Sequence, residues 1–153
     1  MSTRAISFLR ERRIPFAVKH YEHQEKGALF AAEALKLPPE RVIKTLVVVL
    51  GNDHHVLVLM PGDKELNLKK LAKCRGFKRG AMVDVKTAER ITGYQVGGIS
   101  PFGTKRQMQL IMDRELLQHE SIAINGGGRG IMLIMSPSQL LEVLAGRAED
   151  LGR

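Results

Sequence analysis

The sequence predicts one domain of mixed α/β class whose strands pair largely antiparallel. Three features carry that expectation. Two runs rich in β-branched residues, Val42 to Leu50 and Val56 to Met60, are separated by Gly51-Asn52-Asp53, which is hairpin chemistry. Helical patterns stand early and late in the chain, around five or six short strand candidates. Several of those strands are joined too closely for the long crossover that a parallel pair requires. A length of 153 residues suits a single hydrophobic core, so the whole chain, 1–153, is read as one domain.

Thr3 to Arg13 reads as an amphipathic helix, with Ile6, Phe8 and Leu9 near one face, Ser2 or Thr3 as its cap and Pro15 beyond its end. Phe16 to Tyr21 alternates as a strand does. Ala28 to Leu37 is a second helix, stopped by Pro38-Pro39. After the hairpin, Asn67 caps a helix running to Arg75, with Gly76 at its C-terminal end. Asp84 precedes a short helix over Lys86 to Thr92, closed by Gly93. Met108 to Met112, Ser121 to Ile124 and Ile131 to Met135 are strand candidates. Ser136-Pro137-Ser138-Gln139 reads as a capping box with proline at the first helical position, opening a last helix to about Ala145.

Composition narrows the function classes. The longest uninterrupted apolar runs have five residues, whereas a membrane-spanning helix needs roughly 18 or more. Arg4, Arg10, Arg12 and Arg13 interrupt the first stretch, so it does not read as a secretory signal. The one cysteine, Cys74, cannot form an intramolecular disulfide, and a reducing cytoplasm is the expected compartment. Lys and Arg total 24 against 16 Asp and Glu, a formal charge of +8, which attracts polyanions, nucleic acid first among them. Five Phe, two Tyr and no Trp are few for a module that stacks successive bases, so the nucleic-acid backbone is the expected contact.

Several familiar motifs fail. Gly98 to Gly103 followed by Thr104-Lys105 imitates a phosphate loop, but the lysine does not directly follow the second glycine and Pro101 interrupts the backbone donors. Gly98-Ile99-Ser100 resembles a serine-hydrolase elbow, yet Pro101 and Phe102 stand where that motif needs its second glycine two residues after the serine. His20, His23, His54, His55 and His119 form no helical zinc pair, and there is no Cys-x-x-Cys; no metal and no cofactor are expected.

Two features remain. Lys44 opens the first apolar strand and at period two shares a face with Val42, Leu46, Val48 and Leu50. Burying its charge without a partner is costly, so it is either a strand-end lysine whose head reaches water or a site residue. The second feature is the segment Thr92 to Gly103, in which Gly97-Gly98 permits close backbone approach and Pro101 stiffens the C-terminal end of the loop. Such a loop can aim N–H groups at a carbonyl oxygen that gains charge during attack, although glycine-rich hairpins also arise for geometric reasons alone. Lys105 and Arg106 come directly after it. The turn Asn125 to Gly130, by itself, says only turn.

Taken in order, Val42-Ile43-Lys44-Thr45-Leu46, Leu66 to Ala72, Thr92-Gly93-Tyr94 through Gly97-Gly98-Ile99-Ser100-Pro101-Phe102-Gly103, and Gly126 to Gly130 resemble the successive signatures of the YbaK/ProX aminoacyl-tRNA deacylases. That family is similar to the editing domain of bacterial prolyl-tRNA synthetases, and the likeness runs from about Ile14 to Leu144. The resemblance implies a barrel-like, mixed sheet with helices outside. It also implies trans-editing hydrolysis of the ester joining a wrong amino acid to the tRNA 3′ end, with Cys-tRNA(Pro) as the candidate type. Lys44 matches the family's essential lysine and Gly98 its loop glycine beside the scissile carbonyl. Tyr21, Gly97, Ile99, Ser100 and Pro101 are the candidate substrate contacts; Lys69, Lys70, Lys105 and Arg106 are the candidate grip on the acceptor stem. Mischarged tRNA is the implied partner, and an aminoacyl-tRNA synthetase is a second candidate.

There are two departures. Some relatives carry an acid where this chain has Met132, and others have His-Asp where it has His23-Gln24. Both fall near the expected pocket and leave the amino acid open. They also keep alive a rival reading, a tRNA- or synthetase-binding module of the same fold without catalysis.

Overall fold

The computed structural model describes residues 2–22 and 27–153. Its framework is the expected hairpin: β2 (Ile43–Leu50) pairs antiparallel with β3 (His54–Pro61), in a register that sets Ile43 opposite Pro61 and Leu50 opposite His54. The turn between them opens on Gly51 at φ +61°, a left-handed position that glycine takes without strain.

The other strands are β1 (Ala17–His20), β4 (Gly80–Met82), β5 (Gln109–Asp113), β6 (Ile122–Asn125), β7 (Ile131–Met135) and β8 (Arg147–Glu149). They form two open sheets, of order β4-β2-β3-β5-β8 and β1-β7-β6. Pairings β1–β7, β2–β3, β2–β4 and β6–β7 are antiparallel; β3–β5 and β5–β8 are parallel. The mixed, largely antiparallel class therefore holds, but the barrel-like sheet does not close.

The reason lies on one edge of β2. Its C-terminal residues Val48, Val49 and Leu50 pair with β4. Just before its N-terminal end, Val42 makes a parallel bridge to Ala123 of β6. Arg41 reinforces that junction, its Nε donating to Ser121 O at 3.0 Å and its guanidinium to Ser121 Oγ at 2.7 Å. Among the described residues, Lys44, Thr45 and Leu46 pair only with β3 and have no strand on the other side. The sheets thus fork around the middle of β2.

Among the described residues five α-helices cover this framework: α1 (Arg4–Glu11), α2 (Ala28–Leu35), α3 (Leu68–Cys74), α4 (Val85–Thr92) and α5 (Pro137–Val143). Side-chain caps at Thr3, Asn67, Asp84 and Ser136 accept backbone N–H groups of the first turn, as their residue types predict. Alternation along β2 splits the interior. Ile43 and Val47 join the main core with Ile6 and Leu9 of α1 and Ile91 of α4. Val48 and Leu50 pack with Leu71 and Ala72 of α3. A third cluster joins Ala31 and Ala32 of α2 to Val42, Ala123 and Met132.

Phe102 is fully buried in the main core, its ring centroid 5.8 Å from that of Phe8. It anchors the glycine-rich loop from within. Phe102→Ala is expected to cost about 3–5 kcal/mol of stability, the scale for deleting a buried aromatic ring. Denaturant unfolding checks this, and an unchanged midpoint would mean that the loop does not depend on this anchor.

Candidate functional site

The fork in β2 opens into a cavity of about 280 Å³. Ile43, Lys44, Thr45 and Leu46 form one wall; Tyr21 and the small residues Ala28 and Ala31 of α2 form another. Val96, Gly97 and Ile99 of the glycine-rich loop, with Asn125 and Met132, complete it.

Lys44 is half-buried and lines this cavity, as expected of a site residue. The ion pairs among the described residues do not include it. Its neighbour Thr45 presents a buried hydroxyl without a hydrogen-bond partner among the described residues. Burial raises the Tyr21 phenol above its ordinary value, so it stays neutral and able to donate. The Tyr21 N–H is held by Gly130 O at 3.0 Å, and its ring lies 6.2 Å from that of Phe30.

The loop is held from several sides. Gly97 takes φ +95°. The N–H of Gly98 donates to Gln95 O at 2.8 Å, and Gly97 O accepts from Asn125 Nδ2 at 2.8 Å. Val96 N donates to Glu89 Oε2 at 2.9 Å, and Val96 O accepts from Arg129 Nε at 3.0 Å. Deeper in, the Tyr94 hydroxyl donates to Phe102 O, and burial pushes that phenol's pKa up to about 12. Arg4 donates to Gly93 O at 3.2 Å and lies over the Tyr94 ring, while Thr3 Oγ1 donates to Gly126 O at 2.6 Å.

This geometry revises how the loop works. Gly98, the loop glycine that the resemblance sets beside the scissile carbonyl, does not line the cavity, and its N–H is engaged by Gln95 O. What Gly98 supplies is thinness: a Cβ there would stand 3.0 Å from the Gly128 carbonyl carbon and 3.1 Å from Arg129 N. Gly97 and Ile99 line the cavity, and their N–H groups have no hydrogen-bond partner among the described residues. Ser100 and Pro101 do not line the cavity either. Ser100 is fully buried, with its Oγ turned to the Phe102 N–H at 3.3 Å, while Pro101 borders a different depression beside Phe8. Of the expected substrate contacts, the fold therefore gathers Tyr21, Gly97 and Ile99 around Lys44.

Lys69, Lys70, Lys105 and Arg106 are exposed and outside the cavity. Lys70 is already engaged by the C-terminal tail, with Nζ 2.9 Å from Gly152 O and 3.3 Å from Asp150. Arg106 reaches His55 Nδ1 at 3.4 Å. Cys74 is also outside the cavity; burial raises its thiol pKa, the opposite of nucleophile activation. Among the described residues no group of three His, Cys, Asp or Glu could hold a metal ion. His23 and Gln24 lie outside the described residues. Met132, where some relatives carry an acid, is buried and forms part of the cavity wall. Asn125, Thr45, Val96 and α2 are not singled out by sequence; Asn125 reads there only as a turn residue before a glycine run.

Comparison with known proteins gives these features a context. A model of the aminoacyl-tRNA editing domain matches residues 24–143. EbsC of Enterococcus faecalis, named as a proposed Cys-tRNA(Pro)/Cys-tRNA(Cys) deacylase, is 33% identical over 153 residues, covering 97% of this chain and 92% of the relative. A proline–tRNA ligase of Trichlorobacter lovleyi is 35% identical over 95 residues, covering 62% of this chain and 16% of the ligase. The fold matches a crystal structure described as a proposed trans-editing enzyme for prolyl-tRNA synthetase, with a TM-score of 0.88 at 23% identity over 100% of this chain and 99% of the other.

The tight approach of Gly98 to the 128–129 backbone can be tested by itself. Gly98→Ala is expected to force the two loops apart at a cost of about 1–3 kcal/mol, the range for overpacking. Because Gly98 does not sit at positive φ, that cost reflects packing rather than backbone strain. Thermal melts measure it, and a variant as stable as wild type would show that the loops yield freely.

Proposed function

The chain belongs to the aminoacyl-tRNA editing domain family, and on that premise we propose that it is a trans-editing hydrolase that deacylates mischarged tRNA. The observation that carries this reading is the meeting, in one cavity, of Lys44 with Gly97 and Ile99, whose N–H groups have no partner among the described residues. Two fixed N–H donors suit a carbonyl oxygen that becomes an oxyanion, and fixed donors need no reorganisation as charge develops.

In this mechanism water adds to the ester carbonyl carbon. The carbonyl oxygen takes the developing negative charge, facing the Gly97 and Ile99 N–H groups. Collapse breaks the bond to the ribose oxygen of the terminal adenosine, which takes a proton, and releases the free amino acid. Lys44 holds the terminal adenosine or its phosphate and adds positive charge beside the oxyanion. The neutral Tyr21 hydroxyl and the unpartnered Thr45 hydroxyl are available to orient the aminoacyl group or the attacking water. No protein nucleophile is required, which agrees with Ser100 and Cys74 lying outside the cavity.

Ala28, Ala31, Ile43 and Met132 give the cavity small or apolar walls, which suit an uncharged side chain of modest size. The name of EbsC supports Cys-tRNA(Pro) as the first substrate to test. Exposed Lys69, Lys105 and Arg106 are the surface cations left for the acceptor stem, and the site of action is the cytoplasm, where tRNA is charged. The rival binding-module reading draws on one observation, a buried methionine where some relatives carry an acid.

A panel of mischarged tRNAs, followed for loss of the aminoacyl ester, separates the two readings: no hydrolysis with tRNA binding intact favours the module. With a confirmed substrate, Lys44→Ala should fold normally and lower the single-turnover rate by orders of magnitude, and a wild-type rate would remove Lys44 from the site. Affinity for tRNA should also fall steeply between low and physiological salt, through counterion release. A flat response would point to a small ester substrate instead.

A further inference from the structure

We propose that Asn125 is the positioning residue of the oxyanion site, acting by clamping the 97–98 peptide. The inference rests on the deacylase reading and adds a residue to it that touches no reacting atom.

The 97–98 peptide is fixed at both ends. Its carbonyl oxygen accepts from Asn125 Nδ2 at 2.8 Å, and its N–H donates to Gln95 O at 2.8 Å. A peptide is planar, so holding both polar ends fixes the plane. The two flanking peptides carry the N–H groups of Gly97 and Ile99, two residues that line the cavity. The clamp therefore helps to set the direction of both donors without using either, and Arg129 holds the 96–97 peptide as well through Val96 O.

Asn125 is itself held. Its Oδ1 accepts the Gly127 N–H at 3.0 Å, so the two ends of one amide join two different glycine loops. This arrangement also defines the amide's orientation. Turned over, Oδ1 would face Gly97 O and Nδ2 would face the Gly127 N–H, leaving acceptor against acceptor and donor against donor. Register strengthens the case: Asn125 is the last residue of β6, paired with Met132 of the cavity wall, so a strand rather than a free loop supports it. The need for a clamp comes from Gly97, whose φ of +95° is one of many conformations open to glycine. Without the tether the Gly98–Gln95 turn opens more readily and the loop loses its fixed orientation towards the cavity.

Two variants test this. Asn125→Asp keeps an acceptor for the Gly127 N–H but, ionised, cannot donate to Gly97 O. Asn125→Ala removes the tether without adding charge. Both should lower kcat by roughly 10- to 100-fold, the scale of a misplacement of about 1 Å at a reacting centre. KM and tRNA affinity should stay within about twofold of wild type, because the substrate-holding groups are untouched. Hydrogen exchange at the Gly98 amide should accelerate in both variants.

Wild-type kcat in either variant overturns the proposal, as does a loss confined to Asn125→Asp, which would trace to charge rather than to the tether. A rise in KM at constant kcat overturns it too, since that is the mark of a binding contact. If wild-type protein hydrolyses no ester in the panel, the deacylase reading fails by itself. Hydrogen exchange then still decides the clamp, and unchanged exchange at Gly98 overturns it.

Discussion

One strand edge serving two sheets is the constraint on which the rest of this structure depends. An antiparallel strand directs the backbone groups of alternate residues to alternate edges. Val47 turns its carbonyl towards β4, where it accepts the Val83 N–H. Thr45, two residues earlier, turns its own N–H and C=O to the same edge, at the point where β4 has ended and β6 has been left behind. Buried backbone groups are seldom left unpaired. Among the described residues no strand pairs with this stretch of the edge, and the cavity forms there.

The rest of the architecture closes and stiffens that gap. Small residues of α2 cover one side without filling it. On the other side two glycine loops press together so closely that Gly98 has no room for a methyl group. Helix α1 binds both loops: Arg4 donates to Gly93 O at the start of one, and Thr3, the cap of the helix, donates to Gly126 O of the other. Phe102 and Tyr94 fasten the first loop into the main core. Segments far apart in sequence thus hold a few backbone groups still, and preorganised donors depend on that stillness.

What is legible in the sequence is mostly local. The hairpin, the four side-chain caps and the left-handed glycines at 76 and 93 come from residue types over a few positions, and they appear where expected. Helix α1 ends two residues early, with Arg13 at φ 56°, because capping competes with periodicity there. Strands β4 and β8 escape notice because three residues carry no readable alternation, and the parallel partner of β8 is distant in sequence. In the site, Lys44 and Tyr21 are identifiable and do line the cavity. The internal bonds of the loop are not legible, since no spacing rule shows that Gly98 N–H is engaged by Gln95 or that Ser100 turns inward. The partners of Lys70 are hidden for a similar reason: the tail that its ammonium group meets folds back from some eighty residues later.

The cavity's chemistry constrains how any editing here could be selective. Its apolar wall of Ala28, Ala31, Ile43 and Met132 can exclude a side chain that is too large. It cannot strongly reject a smaller one, because a missing methylene in an apolar pocket is worth only about 1–3 kcal/mol. On the deacylase reading, Lys44 and the loop N–H groups would address parts common to every aminoacyl ester, the carbonyl and the terminal nucleotide, and so would add rate without discrimination. A hydrolase built this way would also threaten correctly charged tRNAs bearing small amino acids. On the deacylase reading, selection beyond size would draw on the Tyr21 and Thr45 hydroxyls and, outside the cavity, on features of the tRNA body or of a synthetase that presents it. A chain carrying +8 has the means to engage the first of these, since the phosphate backbone is read by charge over a broad surface. On the deacylase reading, the pocket supplies chemistry and a size limit, and the identity of the tRNA is checked by the surface around it.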